Sequence, residues 1–430
     1  MRKCNLLVQN FYLPGQNFYP LVRKSRRRDS SLIRAGDLYM NLFRKVLFWI
    51  HLTAGVTTGV IIFIMCVTGV VLTFEAQIKD YAESDVRYVK TPDANAPQKL
   101  TPTELFARLR EARPEAKPTG LTLKADPNAS AAFALGREGT LYMNPYSGEL
   151  LGGDAKGVNN FFRVVTDWHR WLGASGENRA AGKAITGFSN AAFLVLAITG
   201  IYIWFPRRLA WRNFKAVMFF RRGLRGKARN FNWHNTIGFW SSLVLVVLTV
   251  TGMVISYQWA SNLVYTLTGS EVPQQQSPPP PQQQNQAGRE TNIVIPENLN
   301  DLWARAAQQT EDWEFITLRV PTAAEAPVVF TIREGKELNP FASSTATFSA
   351  QSGELTKWEP YSGGSAGRRL RSWMRFAHTG EAFGIVGQII AGLATLGGAF
   401  LVWTGISLAW RRFRNWRAKR GNNPEPAASV

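Results

Sequence analysis

Four stretches of about 20 residues, at 52–74, 185–205, 237–257 and 383–410, run almost without charge. Each is long enough to cross roughly 30 Å of hydrocarbon as a helix. Helix is the form they must take, because every backbone amide has to be paired inside lipid. Composition alone would miss this. The hydrophobic share of 45% is ordinary for a soluble chain, and it is the clustering that makes a membrane protein.

The net charge of +20 suggests nucleic acid until its placement is read. Residues 1–50, 207–233 and 410–430 hold half of the 50 Lys and Arg but only three of the 30 acids, Asp29, Asp37 and Glu425. The remaining segments are close to neutral. Basic excess at alternate ends of apolar spans follows the positive-inside rule, so nucleic acid is excluded as a partner. The basic flanks also suit anionic lipid headgroups. The N-terminus, the 207–233 loop and the 411–430 tail are therefore expected on the cytoplasmic side. Two lobes, 75–184 and 258–382, are expected on the other. With spans at 40–74, 185–206, 234–257 and 383–410, the chain reads as a four-helix membrane protein carrying two α+β lobes. Residues 1–39 read as a disordered basic tail, and Met40 opens the basic-then-apolar pattern of a true start. Cys4 and Cys66 fall in the tail and in the first span, so no disulfide framework is expected.

The first and third spans align without gaps. From His51 the chain places Gly55, Thr68-Gly69 and Phe74 at offsets +4, +17, +18 and +23; from His234 it places Gly238, Thr251-Gly252 and Tyr257 at the same offsets. The second and fourth spans share Thr-Gly-Ile before an Arg pair, at Thr199 and Thr404. Each lobe carries Ser-Gly-Glu-Leu, at Ser147 and Ser352. Thr101 with Glu104 forms a capping-box pattern before a helix with Leu105 and Leu109 on one face. Strands are expected at 121–124, 131–135, 141–144, 315–320, 328–333 and 346–350, and a second helix at 299–307. The Pro/Gln-rich insert 273–287 belongs to no packed core. The chain thus reads as two span–lobe–span copies, related by an axis along the membrane normal.

The chain has four histidines: His51, His169, His234 and His378. The repeat puts His51 and His234 at one depth, at the cytoplasmic end of the spans. His169, in an aromatic amphipathic segment, and His378 come at another depth on the opposite side. Two neutral imidazoles facing each other can supply both axial ligands of a haem iron. No Cys-x-x-Cys-His occurs, so such haem would be non-covalent, b-type, with two per chain. Arg44, Arg163, Arg170 and Arg375 are near enough in sequence to meet propionates. The Trp residues at span ends read as an interfacial belt and the Thr-Gly pairs as helix-packing positions. No phosphate loop or dinucleotide fingerprint is present. Ionisable residues are almost absent from the spans, which argues against a proton-coupled transporter.

Taken as a set, Trp-x-His opening a span, Thr-Gly near its end, a lobe closing on Ser-Gly-Glu-Leu, Trp-His-Arg-Trp-Leu-Gly at 168–173 and Thr-Gly-Ile-Tyr-Ile-Trp-Phe-Pro-Arg-Arg at 199–208 resemble the PepSY-associated transmembrane proteins over about residues 40–415. The resemblance implies PepSY-like periplasmic lobes in a bacterial inner membrane. It implies haem at His51, His169, His234 and His378. It also implies a ferrisiderophore reductase that takes electrons from a cytoplasmic donor to a ferric siderophore in the periplasm. The open alternatives are a non-enzymatic binding or regulatory membrane protein and a siderophore transporter.

Overall fold

The computed structural model describes residues 30–90, 98–206, 210–273, 294–334 and 342–421. Most of the expected tail, nearly all of the Pro/Gln insert and the last residues of the C-terminal tail lie outside the described residues. The chain divides into two units, Met1–Leu47 and Phe48–Val430. Of the first, the described residues are the opening turns of one helix; the second holds everything else.

The helices are α1 (Ser30–Leu72), α2 (Glu75–Ala82), α3 (Ser84–Arg87), α4 (Pro102–Ala112), α5 (Lys156–Trp171), α6 (Arg179–Trp204), α7 (Trp211–Met218), α8 (Gly226–Ser256), α9 (Gln258–Leu267), α10 (Leu299–Gln308), α11 (Ala366–Thr379) and α12 (Gly384–Gly421). The strands are β1 (Gly120–Lys124), β2 (Ala131–Ala134), β3 (Thr140–Met143), β4 (Leu150–Gly153), β5 (Trp313–Arg319), β6 (Val328–Glu334), β7 (Ser343–Phe348) and β8 (Leu355–Glu359).

Among the described residues, 4 helical segments are long and apolar enough to cross a membrane: Leu42–Leu72, Gly176–Trp204, Gly226–Ser256 and Glu381–Lys419. The chain is a multi-pass helical membrane protein. Each helix outruns its apolar stretch. α1 begins at Ser30, inside the segment read as a tail, and α8 begins at Gly226, ahead of its apolar run. A helix already nucleated in lipid adds a hydrogen bond for each residue it fixes, so polar but helix-forming flanks such as Lys227-Ala-Arg-Asn join it. His51 and His234 consequently sit inside continuous helices rather than at their ends. Large side chains such as Phe188, Trp240, Leu243 and Leu393 face outward from the bundle; lipid replaces protein packing there.

The sheet differs from expectation. The two lobes are not separate: all eight strands form one antiparallel sheet in the order β4-β3-β2-β1-β5-β6-β7-β8. Each lobe alone would expose its first strand as an edge. Pairing β1 with β5 removes both edges at once. At the seam Leu121 faces Leu318 and Thr122 faces Thr317, and the two threonine hydroxyls bond at 2.8 Å. The capping box at Thr101 and Glu104 forms as expected, and α4 is tied to α10 where the Thr103 amide donates to Asn300 Oδ1 at 3.0 Å.

One face of the sheet carries the core. Leu121, Phe133, Met143, Ile316, Leu318, Phe330 and Phe348 pack against Leu105 and Leu109 of α4 and Leu302 and Trp303 of α10. Along β6 burial alternates residue by residue, as the two-residue period of a strand requires. β4 and β8 escaped sequence reading because they are short outer strands, one glycine-rich and one polar. Phe330 is fully buried, with Trp303 at 5.6 Å and Phe348 at 5.7 Å between ring centres. Phe330→Ala is expected to cost about 3–5 kcal/mol, read as a lowered midpoint in unfolding of the purified protein. Phe330→Leu should lose much less.

Candidate functional site

Each of the four histidines rests on one of the four Thr-Gly pairs that repeat in the spans, at Thr68, Thr199, Thr251 and Thr404. His51 Nδ1 on α1 lies 2.9 Å from Thr199 Oγ1 on α6. His234 Nδ1 on α8 lies 2.9 Å from Thr404 Oγ1 on α12. His169 Nδ1 on α5 lies 2.9 Å from Thr68 Oγ1 on α1. His378 Nδ1 on α11 lies 3.2 Å from Thr251 Oγ1 on α8 and donates to the Leu248 carbonyl at 2.9 Å. Among the described residues, every hydrogen bond of these rings runs through Nδ1. Sequence reading took the Thr-Gly pairs for helix-packing positions. They do stand at helix contacts, but what each one contacts is an imidazole. The equal +17 offset from His51 to Thr68 and from His234 to Thr251 was the signal that could have exposed them.

The structure brings His51 and His234 together: their ring centres are 6.3 Å apart with planes at 85°. Two layers result, because Thr68 and Thr251 stand 17 residues along α1 and α8 from these histidines, about 25 Å at 1.5 Å per residue. The second layer holds His169 and His378. These rings are delivered by short amphipathic helices rather than by the spans. α5 buries Phe162 while Phe161 and Trp168 stay exposed. α11 is stopped by Gly380 at φ 81°, which lets the chain reverse into α12. Burial pulls the His169 pKa down to about 4, with the neighbouring His378 adding to the effect. Burial lowers His378 as well. Burial thus favours the neutral form of both rings, the form that can ligate a metal.

α5 is held at its start by a buried carboxylate on the α2–α3 link. Glu83 accepts from the Ala155 amide and from Asn159 Nδ2, both at 3.0 Å, from Tyr142 Oη at 2.9 Å and from Arg87 Nε at 2.7 Å. Burial alone would raise its pKa. Arg87 and the other donors outweigh that and hold the carboxyl below the ordinary range.

A paired set of neutral imidazoles can offer two nitrogen lone pairs to one ion. Among the described residues no group of three or more His, Cys, Asp and Glu could hold a bare metal. Among the described residues of α6 and α8, two buried polar atoms have no hydrogen-bond partner: Asn230 Oδ1, one turn before His234 on α8, and Trp204 Nε1, five residues past Thr199 on α6. Of the arginines singled out in the sequence, Arg163 donates to Asn160 at 2.5 Å, Arg170 lies over Trp171 at 4.6 Å and Arg375 over Phe376 at 5.9 Å. Arg44 belongs to the first unit. Cys66 is a buried free thiol.

No curated protein matches the chain. Comparison with protein families matches residues 48–412 to the PepSY-associated TM region. That match takes in all four spans, the eight-stranded sheet and every histidine, and on it the chain belongs to the PepSY-associated TM family.

Proposed function

We propose that this is a haem-binding electron-transfer protein of the bacterial inner membrane that reduces ferric siderophore in the periplasm with electrons from a cytoplasmic donor. One observation carries the reading: the 6.3 Å between the ring centres of His51 and His234. A metal–nitrogen bond of about 2 Å, with roughly 1.1 Å more from nitrogen to ring centre on each side, gives about 6.2 Å across a shared ion. The unpaired Asn230 Oδ1, one turn before His234 on the same helix, fits a ligand with a polar edge there.

His51 and His234 would hold one b-type haem, and His169 and His378 a second. A haem iron, when bound, takes up and gives away one electron at a time. The residues themselves do the rest. Neutral imidazoles supply ligand nitrogens, the buried bundle excludes water, and the two layers on α1 and α8 reach toward opposite faces. The arginine-rich ends of the spans support cytoplasmic termini and a periplasmic sheet. The matched His-to-Thr contacts and the mirrored strand order support two span–lobe–span repeats. Such a protein would release iron, because ferrous iron binds hard oxygen donors more weakly than ferric iron does.

The purified full chain is expected to show b-type bands in a reduced-minus-oxidised spectrum, with two haems per chain by pyridine haemochrome assay. After reduction it should transfer electrons to a ferric siderophore. A colourless preparation would remove the reading, and a haem-loaded protein inert toward ferric chelates would remove the substrate.

A further inference from the structure

The Thr-Gly pairs at Thr68, Thr199, Thr251 and Thr404 do more than fill a helix contact. Each threonine hydroxyl sits within 2.6–2.8 Å of the carbonyl four residues back: Thr68 to Ile64, Thr199 to Val195, Thr251 to Val247 and Thr404 to Phe400. A hydroxyl has one proton, and here the helix backbone takes it. Toward the imidazole each threonine can then only accept, so Nδ1 must carry the ring proton. His378 shows this independently, since the Leu248 carbonyl at 2.9 Å can only accept. The following glycine provides the seat. A Cβ would stand 3.4 Å from His169 Cε1 at Gly69, 3.5 Å from His51 Cε1 at Gly200, 3.1 Å from His378 Cε1 at Gly252 and 3.4 Å from His234 Cε1 at Gly405.

We propose that Thr68, Thr199, Thr251 and Thr404 are positioning residues that lock His169, His51, His378 and His234 in the Nδ1–H tautomer and aim each Nε2 lone pair as the ligand atom. The arrangement also crosslinks the bundle. α1 and α8 each carry a ligand near one end and a lock near the other, while α6 and α12 carry locks only. Its geometry stands without a bound group; its purpose rests on the haem reading. The hydroxyl is the outer partner that fixes ring orientation and raises ligand basicity, a role whose loss costs about 10–100-fold in metal affinity.

Two measurements test it. In the full chain without haem, labelled with 15N-histidine, all four rings are expected to show protonated Nδ1 and bare Nε2; protonated Nε2 in the His51–His234 pair would overturn the lock. In haem titration, Thr404→Val is expected to weaken the His51–His234 site by about 10–100-fold, with a mixed tautomer signal from His234, while Thr404→Ser restores both. Unchanged affinity in Thr404→Val, or equal loss with Ser and Val, would mean that the position serves packing alone. Should the valine protein fail to assemble, the tautomer reading on the unaltered chain still decides. A chain that binds no haem yet shows the predicted tautomers would sink the proposed function and leave the lock standing.

Discussion

Alanine at both His51 and His234 is expected, on the proposed two-haem reading, to lower the haem content from two per chain to one and to reduce transfer from a cytoplasmic donor to background. The proposal gives that site two imidazole ligands, His51 on α1 and His234 on α8, whose ring centres stand 6.3 Å apart. The second layer should survive. His169 and His378 are seated on Thr68 and Thr251, about 25 Å along the same helices, and additivity holds for sites this far apart. The variant should therefore fold, keep about half the reduced-minus-oxidised absorbance and still accept electrons from a small reductant added from the sheet side. Full absorbance in this variant would show that these rings hold no haem.

Glu83→Ala is expected to destabilise the sheet and α5 by about 3 kcal/mol, the low end for breaking a buried ion pair, since Arg87 keeps partial contact with water. The carboxylate is 2% exposed and ties together α3, β3 and the first turn of α5; its removal takes the acceptor from the Ala155 amide and the Tyr142 hydroxyl, while Asn159 keeps Asp154 and Arg87 keeps Asp80. Glu83→Gln should cost less, because an amide oxygen can still accept from Ala155. The sign of the pH dependence follows from the lowered pKa. The unfolded carboxyl titrates near its ordinary value of 4.5, so the stabilisation is complete above that pH and is lost as pH falls through the lower folded value. The gap in thermal midpoint between the unaltered chain and Glu83→Ala should be widest near neutrality and narrow as pH falls below 4.5 through the lowered folded value. A gap that stayed constant from pH 7 to pH 3 would show that the charge contributes nothing. The α5 start is the route by which this change reaches His169, so the second haem should be held less tightly as well.

Much of the membrane part was legible because its code is one-dimensional. Lipid demands runs of apolar residues, and topology demands basic ends, so the four spans can be counted directly. The histidine repeat was legible as an equal offset on two helices. Helix extension past the apolar runs was not, because Lys227 and Arg229 look like a loop until the helix already present is allowed to continue through them. β4 and β8 were missed because outer strands need neither alternation nor bulk.

By itself, then, the sequence determined the number of spans, the alternation of basic and neutral flanks and the candidate rings, since each depends on local composition or spacing. Tertiary structure alone decided that the two lobes share one sheet, that His51 and His234 stand 6.3 Å apart, and that Thr68, Thr199, Thr251 and Thr404 each receive an imidazole from another helix. Those facts depend on which helix faces which and on edges that only a partner strand can satisfy. Contacts of that kind, between residues such as His51 and Thr199 or Leu121 and Leu318, have no signature in the order of neighbours along the chain.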